Sequence, residues 1–307
     1  MAHGRHPRRK GSGCQGDECS LSRRGGAFSA ALVARSCWDA LFLVSYAPSM
    51  SFDLDPDLLA LAKPIVSVQP WPRPSCTSCG KGHIEFSSPT EDESHESALA
   101  HEDPHWDPEW TNGTFVVRGQ CNNPGCQQAV HGTGHYWVGS SETLEDEESG
   151  IPYSCMLYAI ANLYPPLLIM PIPKTAPDEV REAVLRASRV LFTDPGLAAT
   201  ALRATVERFL TSQGISPTNP SGKFRNAHER IDEWKGKDPT HPAVANLFYA
   251  VKWLGNAGTH EDSDLTTAEV LEGADMLNEA FHRLFTGPDI DARAQIINTQ
   301  KGPLRLP

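Results

Sequence analysis

Two pairs of cysteines in the first half of the 307-residue chain have the spacing of a metal site. Cys76 and Cys79 are separated by two residues and followed by Gly80, and Cys121 and Cys126 enclose the sequence Asn-Asn-Pro-Gly. Gly and Pro permit tight turns whose backbone amides point at sulfur, and two such turns bring four thiolates together. The sequence therefore predicts a structural Zn²⁺ held by these four cysteines. Because four thiolates complete the coordination shell, this ion would have no open position for catalysis.

Disulfide bonds and a redox-active pair are the alternatives for these cysteines. Disulfides are unfavourable in a chain that is predicted to be cytoplasmic. One Cys-x2-Cys motif would permit redox chemistry, but a second pair with matching geometry favours a metal. His83, His131 and His135 lie near the cysteines in sequence and could replace a thiolate. With four cysteines present, however, these histidines are more simply loop or strand residues.

The charge of the chain is unevenly distributed. The net charge is -11, and residues 50–173 hold seventeen acidic and four basic residues, a net of -13. This segment would repel a phosphate backbone, so any contact with RNA is expected from the helical part of the chain. The acidic zinc segment is expected to bind a protein partner instead.

Two features bear on the location of the protein and on the start of its folded part. The most apolar stretch, Ala27 to Ala47, is interrupted by Arg35 and Asp39, so we predict no membrane contact and a cytoplasmic protein. Residues 1–49 are rich in Arg, Gly and Ser and lack periodicity, which fits either a disordered tail or a mis-annotated leader that precedes a true start at Met50.

Residues 50–150 are predicted to form a small, zinc-ribbon-like β domain. Thr114–Arg118 leads into the second cysteine pair, and Gln127–His131 and His135–Gly139 follow as short strands with a glycine turn between them. An acidic insertion from Ser87 to Trp110 separates the cysteine pairs and has the composition of a long, solvated loop.

After residues 151–176, which are predicted to be a linker, the apolar period becomes helical. Five helices are predicted, over residues 177–192, 195–213, 224–234, 242–257 and 266–285. Asp194 caps the second of these helices, and Thr266 with Glu269 forms a capping box at the last. The predicted fold class is therefore α+β, with the β domain followed by an all-α bundle over residues 177–287 and a flexible tail over 288–307.

Four elements occur in a recognisable order: Leu163-Tyr164-Pro165-Pro166, the Ala-rich stretch 198–210, His228-Glu229-Arg230-Ile231, and the stretch 252–260 with its Gly-Asn-x-x-x-His motif. This order resembles the domain-of-unknown-function family 4145, in which zinc knuckles also occur ahead of the helical domain. The resemblance covers most of residues 76–285. It implies a HEPN-like helical bundle, related to many RNA-cleaving toxins and defence effectors, and relatives that lie beside or within restriction systems.

The resemblance also suggests catalytic residues and a homodimer. If residues 252–260 are helical, Lys252, Asn256 and His260 lie on one face. In a metal-independent ribonuclease, His260 could move a proton, while Lys252 and Asn256, together with Arg203, could stabilise charge on the phosphate. Active HEPN nucleases pair two subunits into one cleft and have an Arg where this chain has Gly255.

A structural role for the same residues is the competing interpretation. Asn256 and His260 could hydrogen-bond across the bundle or cap a helix near Gly258, and two glycines within four residues indicate close helix packing. We therefore expect an interaction or accessory module of a bacterial defence or restriction-type system. The alternative is a HEPN-type ribonuclease that uses His260 in a homodimeric cleft.

Overall fold

The computed structural model describes residues 54–145, 152–259, 264–286 and 298–299. These residues form a curled antiparallel sheet and a series of α-helices, which confirms the predicted α+β class. The strands are β1 (Ile65–Val66), β2 (Ile84–Phe86), β3 (Thr90–Glu93), β4 (Asn112–Cys121), β5 (Ala129–Glu145) and β6 (Pro152–Tyr164). Their order in the sheet is β1-β6-β5-β4-β2, and β3 pairs with β4 next to β2.

Strand β4 shows how the sheet acquires a buried side. Its residues alternate between exposed and buried along the whole strand, which is the period expected when one face packs on a core. Phe115 and Cys121 are on the buried side. Trp71 covers this side, with its ring centroid 5.4 Å from that of Phe86 and 5.9 Å from those of Phe115 and Tyr158. The aromatic cluster thus packs against the buried side of the sheet.

Strand β5 runs through the stretch in which a glycine turn was predicted. Gly132 and Gly134 both lie within the strand and pair with residues of β4. A side chain at Gly134 would place Cβ 2.0 Å from the carbonyl oxygen of Ala159, and one at Gly132 would lie 2.8 Å from Cγ1 of Val117. The turn prediction is wrong, because these glycines make room for the neighbouring strands rather than reversing the chain.

Strand β6 corrects the linker prediction for residues 152–164. It lies between β1 and β5 in the sheet. The segment that follows β6 also contributes to the core, since Leu167, Ile169 and Met170 are at most 3% exposed and belong to the same core as the helices. The Ser188 hydroxyl accepts a hydrogen bond from the amide of Ile169 at 3.1 Å. One continuous core therefore joins the sheet to the helices.

The acidic insertion is more ordered than a loop. It contains β3, the short helix α2 (His95–Ala100) and a 3₁₀ turn at Pro108–Trp110. Ser94 caps α2 by accepting from the amide of Ser97, and the carboxylate of Glu93 binds both Ser97 and His101. The long-loop prediction is wrong here because short polar segments can pair with a strand that is already in place.

All five predicted helices are present. They are α3 (Asp178–Val190), α4 (Pro195–Ser212), α5 (Ala227–Lys235), α6 (His241–Ala257) and α7 (Thr267–Phe281), which follow a first helix, α1 (Pro56–Leu61), and the short α2. Asp194 caps α4 by accepting from the amide of Leu197, and the capping box of Thr266 and Glu269 is formed. None of the helices in the described ranges combines the length and hydrophobicity needed to span a bilayer.

Arg230 of α5 is a buried anchor for the end of α4. Its guanidinium is in a residue only 3% exposed and donates to the carbonyls of Glu207 and Ile215 and to the hydroxyl of Thr211, at 2.7–3.0 Å. Burial lowers the pKa of this guanidinium from its ordinary value. All three bonds are made by Nη2, and they offset part of the cost of burying the charge.

Candidate metal centre and helix groove

The four cysteines are brought together by two turns at one end of the sheet. The first turn carries Cys76 and Cys79 and precedes β2, and its ends are held by a bridge between Ser75 and His83. The second carries Cys121, the last residue of β4, and Cys126, in the connection to β5. Pairing of Ile84 in β2 with Cys121 sets the two turns against each other.

The sulfur atoms have the separations of a tetrahedral site. Cys76 Sγ lies 3.9 Å from Cys126 Sγ, Cys79 Sγ lies 3.7 Å from Cys121 Sγ, and all four ligand atoms lie within 4.8 Å of one another. A tetrahedron with metal–sulfur bonds of about 2.3 Å has edges of about 3.8 Å. A disulfide would need about 2.05 Å instead. The arrangement therefore fits a four-coordinate metal ion, and these four residues could bind one.

Both turns require a left-handed residue directly after their second cysteine. Gly80 follows Cys79 with φ of 60°, and Gln127 follows Cys126 with φ of 53°. Glycine adopts this conformation without steric cost, whereas glutamine does not. Gly82 is needed for a different reason, since a Cβ there would lie 2.7 Å from the sulfur of Cys121. Glycine therefore accounts for the left-handed residue of the first turn. In the second turn, the surrounding structure must hold glutamine in this conformation.

Backbone amides point at the sulfur atoms, as the turn residues predicted. The amides of Lys81 and Gly82 donate to Cys79 and lower the pKa of this thiol to about 6. Burial raises the pKa of Cys121, to which the Asn123 amide donates. The side-chain amide of Asn123 lies 3.6 Å from Cys79 Sγ. Amides directed at sulfur stabilise the thiolate form that metal binding needs.

The three nearby histidines do not join this cluster. Among the described residues, the one group of His, Cys, Asp and Glu side chains close enough to share an ion is the four cysteines. His83 Nδ1 lies 3.1 Å from the carbonyl oxygen of Arg73. His131 and His135 project from the exposed side of β5, away from the buried sulfur of Cys121.

The second candidate site is a groove on the helical part. We call it the α4–α6 groove, and it is a cavity of about 580 Å³ whose lining includes Arg203, Phe224, Arg225, Lys252, Trp253 and Asn256. The structure thus brings together Lys252, Asn256 and Arg203, three residues that sequence analysis placed in a catalytic set. His260, the proposed proton carrier, lies outside the described residues.

Hydrogen bonds and ring contacts within the protein engage the polar groups of this groove. Asn256 Oδ1 accepts from Arg203 Nη1 at 2.7 Å, and Arg203 Nε donates to Glu207 at 3.0 Å. The Lys252 ammonium lies 3.2 Å from the ring centroid of Trp253. Arg208, in the same helix as Arg203, is exposed and does not line the groove.

Close packing between α4 and α6 explains why position 255 is a glycine. A Cβ at Gly255 would lie 2.4 Å from Cβ of Arg203 and 2.9 Å from the carbonyl oxygen of Ala199. One turn on, Gly258 meets the backbone of Gly196, where an added Cβ would lie 2.4 Å from the carbonyl oxygen. The two glycines allow α6 to approach α4 closely, as the structural interpretation predicted. An arginine at position 255 would not fit this contact.

Two aromatic residues and one cation of the groove were not predicted from the sequence. Phe224 was predicted to begin a helix, but α5 starts at Ala227 behind its cap Asn226, and Phe224 lies before it, 82% exposed. Trp253 is 60% exposed on α6. Arg225 lines the groove and pairs with Glu233 at 2.6 Å. The available signal was the pair of large aromatics beside basic residues, at Phe224-Arg225 and Lys252-Trp253.

Two protein families match separate parts of the chain, and each match contains one of the two candidate sites. Residues 185–300 match the family described as Domain of unknown function (DUF4145), and residues 66–157 match the family described as Domain of unknown function (DUF8608). The resemblance stated from the helical motifs is therefore supported for the helical part. The four cysteines fall within the second family, which the sequence analysis did not identify. No curated protein and no solved structure matches the chain.

Proposed function

We propose that this protein is a zinc-stabilised interaction module, with a zinc-ribbon-like segment and a HEPN-like helical domain, that acts as an accessory component of a bacterial defence or restriction-type system. The metal stabilises the sheet, and the acidic surface of the sheet binds a protein partner. The helical domain pairs two copies into a homodimer. The context in defence rests on the sequence resemblance of the helical part.

The four sulfur atoms support the choice of zinc. Four thiolates at tetrahedral separations suit Zn²⁺, and they leave no position for a substrate. The residues Cys76, Cys79, Cys121 and Cys126 would hold the ion, whose contribution is to fix the two turns. Elemental analysis of purified protein should find one zinc per chain. Cys121→Ser should lose it, whereas Cys155→Ser, a free cysteine outside the cluster, should keep it.

The main support for the interaction role is that Asn256 is already hydrogen-bonded within the protein. Its carboxamide oxygen accepts from Arg203, and the Lys252 ammonium lies over Trp253. The bond between Arg203 and Asn256 joins α4 to α6, where Gly255 leaves no space for the arginine of active nucleases. A packing role accounts for Asn256 and Gly255 without a reaction.

The proposed partner surface is tested by removing its charge. Asp92, Glu96 and Glu102 are exposed on β3, α2 and the residues that follow. Neutralising the three as Asp92→Asn, Glu96→Gln and Glu102→Gln should abolish a protein interaction that is first reconstituted with purified wild-type protein. Three neutralisations on exposed helix positions, Glu179→Gln, Glu182→Gln and Glu272→Gln, serve as the control for total charge. An interaction that survives the first set would exclude the acidic surface as the binding site.

A ribonuclease is the second candidate, favoured by the meeting of Lys252, Arg203 and Asn256 in one groove. Zinc-loaded protein is incubated with a mixed RNA pool in EDTA, beside a His260→Ala variant. Cleavage that persists in EDTA and is lost in the variant would replace the interaction role with a HEPN-type nuclease. The interaction role predicts no cleavage at micromolar protein.

A further inference from the structure

We infer that the α4–α6 groove binds an acidic peptide segment of a partner protein, with one carboxylate of the peptide on Lys252 and an apolar side chain against Phe224 and Trp253. This inference rests on the proposed role as an interaction module. It adds a second binding surface to the acidic sheet and states the chemistry of what that surface takes.

Lys252 is the first observation. It is 8% exposed and its ammonium, which can donate three hydrogen bonds, finds no oxygen acceptor within the part of the chain that the structure describes. Its ammonium lies over the Trp253 ring instead. An ammonium that has no acceptor at the wall of a cavity offers an incoming carboxylate a charge-assisted, partly desolvated contact.

The neighbouring cations indicate the charge of the ligand. Arg203 is paired with Glu207, and Arg225 is paired with Glu233. Lys252 is thus the cation of the groove that has no acidic partner among the described residues, which suits a single carboxylate. A nucleic-acid backbone would need several free cations.

The aromatic residues indicate the rest of the ligand. Phe224 and Trp253 are 82% and 60% exposed, and both line the same cavity of about 580 Å³. Exposed aromatics that gather at a cavity are typical anchors for apolar side chains of a protein partner. The volume suits a few side chains. A peptide with an acidic residue next to an aromatic or aliphatic one could contact both Lys252 and the two aromatic rings.

The test uses full-length, zinc-loaded protein to select from a phage-displayed library of random dodecapeptides. Selected peptides are then synthesised, and their Kd is measured by fluorescence anisotropy. We expect Asp or Glu beside an aromatic or aliphatic residue. Lys252→Met, which keeps the length of the side chain, should weaken binding about tenfold or more, and the acid-to-amide change in the peptide should have no further effect in that variant.

Two further variants separate loss of binding from loss of folding. Lys235→Met is the matched control, because Lys235 also lies over an aromatic ring, that of Tyr249, but is exposed and outside the groove. It should leave Kd within about twofold, as expected for a position outside the interface. Phe224→Ser, at an exposed position before α5, should weaken binding about fivefold or more while the thermal unfolding curve stays unchanged.

The alternative results distinguish the inference from the proposed function. Peptides that bind regardless of Lys252 and Phe224, but depend on Asp92, Glu96 and Glu102, would overturn the groove and leave the interaction role standing. Absence of any selected peptide would also overturn the groove. A single-stranded RNA that binds more tightly than every peptide and requires Lys252 would assign the groove to RNA, and cleavage of that RNA would overturn both proposals.

Discussion

The sheet and the helical part of this protein are stabilised in different ways. At the cysteine end of the sheet, two short turns meet, and four sulfur atoms lie at metal-binding separations. In the helical part, Phe209, Trp234, Phe248 and Phe281 are at most 2% exposed and pack ring against ring. Turns cannot bury enough apolar area to order themselves, whereas amphipathic helices can. A metal ion is therefore expected to matter most where side-chain packing is weakest.

Loss of the metal should give the largest effect and should be confined to the sheet. Cys121→Ser removes a buried ligand, and we expect the zinc to be lost and the sheet destabilised by at least about 4 kcal/mol. Zinc content, together with hydrogen exchange of β4 and of α4, measures both regions. Cys155→Ser is the control. An equal loss of hydrogen-exchange protection in β4 and α4 would show that the continuous core makes the two regions one cooperative unit. It would contradict the claim that they are stabilised in different ways.

Arg230→Met tests the strongest polar anchor of the helical part. The variant removes the guanidinium that donates to the carbonyls of Glu207 and Ile215 and to the hydroxyl of Thr211, and we expect a loss of about 2–4 kcal/mol in the free energy of unfolding. Chemical denaturation of the zinc-loaded protein measures it. Arg208→Met, at an exposed position on the neighbouring helix, should change stability by less than about 0.5 kcal/mol. Similar values for the two variants would show that the buried guanidinium is dispensable.

Gly255→Ala tests the close contact between α4 and α6. The added Cβ has no space beside Arg203 and Ala199, so we expect a loss of about 1–3 kcal/mol even though alanine favours helices. Gly236→Ala is the matched change, because its nearest atoms would lie 3.7 Å away. It should be close to neutral in the same denaturation experiment. A stabilised Gly255→Ala protein would mean that the helices separate easily at this point.

The smallest expected change in the free energy of unfolding comes from exchanging residues between the two cysteine turns. Gln127→Gly should raise the free energy of unfolding by about 0.5–1 kcal/mol, because glycine removes the cost of a left-handed glutamine. Gly80→Gln should lower it by a similar or larger amount. Urea denaturation of zinc-loaded protein resolves the two signs. If both changes lower stability, the side chain of Gln127 contributes something that outweighs its backbone conformation.

Features that depend on neighbouring residues in the chain were predictable. The cap at Asp194, the capping box at Thr266 and the helical periods of α3 to α7 follow from contacts within a few residues, and all are present. The cysteine spacing likewise identified four residues that the structure brings together. The two cysteine pairs lie far apart in the chain, but each could be recognised separately from its own spacing and turn residues.

Features that depend on distant neighbours were not predictable. β6 was mistaken for a linker because a strand becomes visible only when β1 and β5 pair with it, and Gly132 and Gly134 resemble a turn until the strands beside them leave no room for side chains. The catalytic pattern of Lys252 and Asn256 had the same limit. Sequence spacing placed them on one helix face, and only the contact with α4 decided that Asn256 binds Arg203 and that Gly255 lies in a packed interface. The amino-acid order determined the local turns, caps and ligands, and the tertiary structure decided which polar groups were already engaged by other parts of the protein, since that depends on residues far apart in the chain.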